Sequence, residues 1–391
     1  MRFSGFTDEW VSYKIGDISK TYSGGTPSTS KREYYEGNIP FIKSGEIGNE
    51  VTEQYINEEA INNSSAKKVQ KGDLLLALYG ATSGEVAISK IDGAINQAVL
   101  KIDNKMNNYF QYNYFVKYKD QIIHKYLQGG QGNLSANIIK KLEFYYPNLE
   151  EQQKISNYLL LIDNKIELLE KKHHEYQNFK KYLMQQIFAQ KLRFKSADGE
   201  QYSDWKERNL YEFLTEHKLK STGNEEVYSV SVHKGLVNQK EHLGRDFSAP
   251  DTSKYNLVKP GDIVYTKSPT GDFPLGIIKQ SRVDKNVIVS PLYGVFTPET
   301  YALGYILNDY FESNVNTHNY LHPIVQKGAK NTMNITNKTF LSKTLFVPTD
   351  VNEQQKIAEC FSKVNDSIRN IEIQQNKVNE FKKGLLQQMF V

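Results

Sequence analysis

Residues 151–189, EQQKISNYLLLIDNKIELLEKKHHEYQNFKKYLMQQIFA, align without a gap to residues 353–391, EQQKIAECFSKVNDSIRNIEIQQNKVNEFKKGLLQQMFV, at an offset of 202. Fourteen of the 39 positions are identical. Neither copy contains Pro, and Gly384 is the one Gly among Leu, Glu, Lys and Gln, which are strong helix formers. Both stretches therefore predict long helices. Apolar side chains of the first copy fall at Ile155, Leu159, Ile162, Ile166, Leu169, Tyr176, Phe179, Leu183 and Ile187. Those of the second fall at Ile357, Phe361, Val364, Ile368, Ile371, Val378, Phe381, Leu385 and Met389, the same nine positions. Spacing by threes and fours over this length is a coiled-coil seam, expected to pair the helices antiparallel. Its central members are Ile155, Ile162, Ile166, Leu169 and Leu183 on one side and Ile357, Val364, Ile368, Ile371 and Leu385 on the other. Pro147 and Pro348 break the chain just upstream. Asn148 and Asp350 each precede a Glu by three residues, a capping box in which the cap holds early N–H groups and the Glu reaches back.

A duplicated helix leads to a search for a duplicated frame around it. Trp10 and Trp205 each precede an apolar run. Gly72-Asp73-Leu74-Leu75 corresponds to Gly261-Asp262-Ile263-Val264, Leu134-Ser135 to Ile335-Thr336, and Pro147 to Pro348. Four segments result: a domain over 1–150, a spacer helix over 151–190, a second domain over 191–352 and a second spacer helix over 353–391. Short β-rich runs, such as 73–79, 85–88 and 262–265, alternate with Gly-rich turns, whereas 106–127 and 300–312 carry helical spacing. The fold class is therefore mixed α/β: two globular domains with two long antiparallel coiled-coil helices, in a pseudo-two-fold duplication. A repeated scaffold with exchanged contents suggests two recognition tasks.

The 391 residues carry 49 Lys and Arg against 45 Asp and Glu, a net charge of +4. This excludes a histone-like polycation and an acidic disordered tail. By segment the charge is 0 for 1–150, +1 for 151–190, +2 for 191–352 and +1 for 353–391. A nucleic-acid ligand would then require Lys and Arg gathered on one face, or partners that supply phosphate contacts. No apolar run approaches the roughly 18 residues of a membrane span, and the first residues lack the apolar stretch of a secretory signal. One cysteine, Cys360, leaves no internal disulfide, and a cytoplasmic setting is expected.

Catalytic patterns are absent from the sequence. No Gly-rich cradle ends in Lys-Ser or Lys-Thr, and Gly129-Gly130-Gln131-Gly132 reads as a loop. Asn38-Ile39-Pro40-Phe41 resembles a methyltransferase motif superficially but lacks its second Pro and a cofactor loop. His318 and His322 stand four apart without the Glu of a His-Glu-x-x-His motif, and no metal site is expected. Cys360 beside Phe361 reads as a packed small hydrophobe. The chain reads as a binding protein, with a coiled-coil scaffold that binds proteins only as the alternative.

Together these features resemble the DNA-specificity subunit of type I restriction-modification enzymes. The resemblance rests on Glu151-Gln152-Gln153-Lys154-Ile155 and its copy at 353–357, and on the two-domain, two-helix duplication. It rests also on Asn38-Ile39-Pro40-Phe41-Ile42-Lys43-Ser44-Gly45 and the segment from Gly72 to Gly84. It implies a protein without catalytic activity whose two target recognition domains read an asymmetric, bipartite site on double-stranded DNA. It also implies two modification subunits that use S-adenosylmethionine to methylate adenine, and restriction subunits that use ATP and Mg. No cofactor is expected in this chain. A helix of about 40 residues is about 60 Å long, more than the roughly 34 Å of one duplex turn. Expected base-reading residues are Lys43, Ser44, Tyr79, Thr82, Asn96 and Gln97 in the first domain. In the second they are His233, Lys234, Lys267, Ser268, Thr270, Tyr293 and Asn331. Amides suit adenine edges, and Lys suits guanine.

Overall fold

The structure is a computed structural model that describes residues 1–127, 133–240, 251–327 and 333–390. Its two long helices run from Leu149 to Phe188 and from Val351 to Met389, 40 and 39 residues. The chain divides into two compact units, residues 1–171 with 372–391, and residues 172–371. The division crosses both helices because each half-helix is packed into a globular part. In the first unit Ile155, Leu159 and Ile162 share a core with Leu385, Leu386, Met389 and Phe390, and with Phe110, Tyr114 and Tyr146 of the domain. In the second, Leu183, Met184 and Ile187 meet Ile357, Ala358, Phe361 and Val364, together with Trp205, Tyr305 and Ile306. Within each unit the start of one helix lies along the end of the other, the antiparallel arrangement. Leu169 and Ile371 are buried as well, and Ile166 and Ile368 pack partly buried against these cores. Phe179 and Phe381, which the spacing puts on the apolar stripe, are about half exposed. Burial of the stripe is completed where a domain flanks the two helices.

The identical Glu-Gln-Gln triplets anchor each helix start to its domain. Asn148 Oδ1 accepts from Glu151 N at 2.9 Å and Asp350 Oδ1 from Glu353 N at 3.2 Å, so the caps form as expected. The glutamates do not reach back, because each is fully buried and taken by an arginine from the segment that enters the domain. Arg2 grips both oxygens of Glu151 at 2.9 and 2.6 Å, and Arg193 grips Glu353 at 3.0 and 2.9 Å. Trp205 Nε1 adds a third bond to Glu353, at 3.0 Å. A buried carboxylate needs such bidentate pairing to offset its desolvation. The next residues, Gln152 and Gln354, donate to the carbonyls of Pro147 and Pro348 at 2.8 and 2.9 Å. Their carbonyl oxygens accept from Asn107 N and the Thr300 hydroxyl, at 3.1 and 2.6 Å. The third residues, Gln153 and Gln355, donate one turn on, to Asn157 and Glu359, and Gln153 Oε1 also accepts from Asn107 Nδ2 at 2.8 Å.

Each unit holds a four-stranded antiparallel sheet with the same strand order. In the first, Val99–Asn104 lies between Ser19–Ser23 and Leu74–Ala77, and Val86–Ile88 follows at the edge. In the second, Gly294–Pro298 lies between Leu214–Glu216 and Ile263–Thr266, followed by Ile277–Gln280. The Gly-Asp landmarks are equivalent turns before the third strand. Gly72 and Gly261 have φ of +94° and +88°, a region natural to glycine. Their N–H groups donate to Ser89 O and Ser281 O at 2.8 and 2.9 Å. The Leu-Ser and Ile-Thr landmarks are helix N-caps, with Ser135 Oγ accepting from Ile138 N and Thr336 Oγ1 from Thr339 N.

Away from this frame the units diverge. The first has a second, mixed sheet in which Ile39–Ile42 runs parallel to Gly93–Ile95, flanked by Tyr55–Ile56 and Lys67–Val69. The second has instead a two-stranded pair, Asn256–Val258 with Val287–Val289, and a hairpin, Tyr228–Ser231 with Gly235–Asn238. Polar pairs beside the helices also differ. Lys382 meets Asp163 at 2.5 Å, and Tyr109 donates to the same carboxylate. At the equivalent positions, offset by 202, Lys180 and Asn365 both turn to the domain helix Tyr301–Glu312. Lys180 reaches Glu312 at 2.5 Å and Asp309 at 3.5 Å, and Asn365 donates to Tyr305 at 2.9 Å and Asp309 at 3.1 Å.

Candidate nucleic-acid interface

Sheet register brings several of the expected recognition residues to one end of each four-stranded sheet. In the first unit Ala77 pairs with Val99, so the loop after Leu74–Ala77 adjoins the loop before Val99–Asn104, and Leu78 N donates to Ala98 O at 2.8 Å. Tyr79 and Thr82 lie on the former, Asn96 and Gln97 on the latter. In the second unit Tyr265 pairs with Gly294, which makes neighbours of the loop carrying Lys267, Ser268 and Thr270 and the loop carrying Tyr293. The two pairs of loops hold the same place in the duplicated frame.

Their side chains do different work. Tyr79 packs half-buried against the core, and burial pushes its phenol pKa up. Thr82 is half-buried, and its carbonyl accepts from Glu85 N at 2.9 Å within the turn. Lys267 is half-buried too, and the loss of solvent lowers its pKa against the pull of Glu216. Ser268 N donates to Thr266 Oγ1, and Thr270 forms a tight turn with Phe273 through reciprocal backbone bonds at 3.1 and 3.0 Å. Tyr293 lies against the Val258, Val287 and Val289 cluster. His233 and Lys234 are exposed at the turn of the hairpin Tyr228–Asn238, apart from these loops in sequence and sheet. Asn331 and the Gly129–Gly132 segment lie outside the described residues.

A cleft of about 340 Å³ opens beside this end of the first unit. Lys43 and Asn96 line it, joined by Thr26, Thr29, Arg32, Tyr35, Phe41 and Gln54. Ile39–Ile42 delivers Lys43 and Gly93–Ile95 delivers Asn96, so their parallel pairing places the two together. Ser44 follows Lys43 in a turn closed by Glu46 N on Lys43 O at 2.9 Å. Glu46 braces that turn by accepting from Lys43 N and Glu53 N at 3.1 and 2.8 Å. Threonines 26 and 29 and Arg32 were missed by the sequence reading. Their signal was the run Ser23-Gly24-Gly25-Thr26-Pro27, where a Cβ on Gly24 would stand 1.7 Å from Ile95 O. That contact forces glycine and seats the following threonines against the Asn96 loop.

Among the described residues no group of three or more His, Cys, Asp and Glu is placed to hold a metal ion. Rings of His318 and His322 stack at 4.8 Å. No helix among them is long and apolar enough to cross a membrane. Cys360 is partly buried against the second-unit helix core, where burial raises its thiol pKa.

Two duplicated frames thus each carry a clamped helix start and, at one end of the sheet, loops of different sequence. Residues 7–178 match the family described as the Type I restriction modification DNA specificity domain. That match covers less than half of the chain, and within it the chain is similar to this family. It is 29% identical over 239 residues to the type I restriction enzyme MjaIX specificity subunit of Methanocaldococcus jannaschii, covering 56% of this chain and 55% of the relative. It is 27% identical over 173 residues to the EcoR124I/EcoR124II specificity subunit of Escherichia coli, covering 39% and 43%. The chain thus spans about half the length of the curated relatives it matches. In fold it is similar to the S subunit of a type I restriction-modification system from M. genitalium, with TM-score 0.64 and 14% identity over 100% of this chain and 97% of that one. A chain from a structure concerned with complex assembly and conformational transition of the type I system has TM-score 0.53 at 13% identity, over 98% of each.

Proposed function

We propose that this chain is the DNA sequence-specificity subunit of a type I restriction-modification complex. It is itself non-catalytic and reads an asymmetric, bipartite duplex site, one half per unit. The observation that carries this reading is the pair of equivalent loop ends, built on matching sheets and furnished with different residues. Matching frames would present loops to DNA alike; unlike loops would read unlike half-sites. Two modification subunits, holding S-adenosylmethionine, would dock on the assembled subunit and methylate adenine. Restriction subunits would add ATP- and Mg-dependent translocation and cleavage. The modest charge of +4 suits a subunit whose partners share the phosphate contacts. A cytoplasmic location accords with that role.

Gel-shift measurements on the full chain, with and without modification subunits, test the proposal. Sequence preference in either condition supports it; none in both supports a protein-binding scaffold instead. Exchange of residues 191–352 for another such domain should alter one half-site and spare the other, read by methylome sequencing of cells carrying the complex.

A further inference from the structure

The cleft of the first unit presents fixed hydrogen-bond donors. Asn96 Oδ1 is committed to Ala98 N at 3.0 Å, an Asx turn that leaves its Nδ2 as the outward-facing group. The Thr26 hydroxyl donates to Gln97 Oε1 at 2.5 Å, which likewise leaves the Gln97 amide nitrogen to present. Arg32 is exposed and makes no hydrogen bond or ion pair among the described residues. Lys43 faces Glu53 at 3.7 Å, but Glu53 is 82% exposed, and pairs of that kind contribute little and exchange readily with water. The Tyr35 hydroxyl spends its proton on Pro27 O at 2.8 Å. Thr29 and Gln54 at the rim can donate or accept. Glu46, in the turn that follows Lys43, has both oxygens occupied by backbone N–H groups.

Of the four base edges in the major groove, guanine alone offers two acceptors, N7 and O6, with no donor between them; adenine shows an acceptor beside a donor amine. We infer that the first unit reads a guanine in its half-site, with Arg32 and Lys43 on the N7/O6 edge and the Asn96 amide nitrogen as a fixed donor beside them. This rests on the sequence-specificity reading above and names the chemistry of one of its two halves.

The test uses the full chain with its modification subunits. Asn96→Asp keeps the acceptor that Ala98 N needs, so the turn is retained, while an acceptor replaces the donor that faces the cleft. Methylome sequencing should show guanine lost at one position of the first half-site, with the second half-site unchanged. Arg32→Ala should reduce discrimination at the same position by about 5- to 150-fold. Replacing that guanine with 7-deazaguanine, which lacks the N7 acceptor, should weaken wild-type binding at that position alone. The inference is overturned if 7-deazaguanine has no effect anywhere in the first half-site. It is equally overturned if both variants weaken all sequences alike and lower the salt slope by about one, the sign of phosphate contact. Absence of any sequence preference in the wild type would overturn the specificity reading as well, which separates the two failures.

Discussion

In the first unit the acid that answers the helix lysine sits on the opposing helix, as Asp163 with Lys382. In the second unit that helix position is Asn365, and the acids have moved to the domain as Asp309 and Glu312, which answer Lys180. The lysines are equivalent and the geometry of attachment is kept, yet the charge sits on different elements. What the two units keep is the lysine and its pairing with an acid; the element that carries the acid differs. The buried glutamates show the opposite case. Glu151 and Glu353 are identical and both held by an arginine, but only Glu353 also takes an indole N–H. Buried Trp10 Nε1, the counterpart of the Trp205 indole nitrogen, has no hydrogen-bond partner among the described residues.

That asymmetry gives the largest expected effect. Glu353→Ala leaves the guanidinium of Arg193 and the indole of Trp205 without a buried partner and should destabilise the second unit by about 3–5 kcal/mol. Glu151→Ala should cost clearly less, because Arg2 is 30% exposed and can return to water. Urea unfolding of both variants checks the order; equal losses would show that the third bond contributes nothing. Next are the glycines that close the equivalent loops, Gly84 and Gly276, at φ of +83° and +99°. A Cβ on Gly276 would lie 2.1 Å from the carbonyl oxygen of Thr266, whereas one on Gly84 meets side chains alone, Ile123 at 3.0 Å and Leu134 at 3.7 Å. Gly276→Ala should cost about 2–3 kcal/mol, the upper range for such strain, and Gly84→Ala less. Thermal melts would show the ranking, and its reversal would mean that the Thr266 backbone yields.

The smallest effect is a pH dependence contributed by the second unit's charge cluster. Burial would raise the Glu312 pKa, but Lys279 and Lys180 prevail and hold it at about 2, below the ordinary 4.5. An acid with a lowered folded pKa adds stability above its unfolded value, and that stability is lost as the pH falls through the folded one. Burial pushes Asp309 the same way and there prevails, raising its pKa despite Lys180. Wild type should therefore exceed Glu312→Gln in stability at pH 7, with the gap shrinking between pH 4.5 and about 2. A gap constant over that range would mean that the two lysines do not hold the carboxylate.

The frame was legible because it repeats: an offset of 202 gave the helices, their nine apolar positions and their caps, and the Gly-Asp turns proved equivalent bond for bond. What the Glu-Gln-Gln triplets do was not legible. Their partners, Arg2, Asn107, Arg193 and Thr300, lie from 45 to 160 residues away, and only the fold brings them in. The capping-box reading failed for the same reason, since a long-range arginine competes better for a buried carboxylate than the helix's own N–H. Of the cleft, Lys43 and Asn96 could be named from loop position. Arg32 and the two threonines could not, because a parallel strand pair and a glycine contact, neither local in sequence, assemble that wall.

The clamps at the helix starts also set where the gene can be cut and rejoined. Arg193, Trp205 and Glu353 all fall between residues 193 and 353, as Arg2 and Glu151 fall between 2 and 151. A crossover just outside either interval transplants a domain with both halves of its own latch. The identical EQQKI at 151–155 and 353–357 gives the incoming piece a helix start that already fits. One placed inside, between Arg193 and Trp205 for instance, would marry an arginine and a tryptophan of different lineages over one buried glutamate. Exchange of a domain is thus easiest as a whole cassette, with the latch travelling inside it.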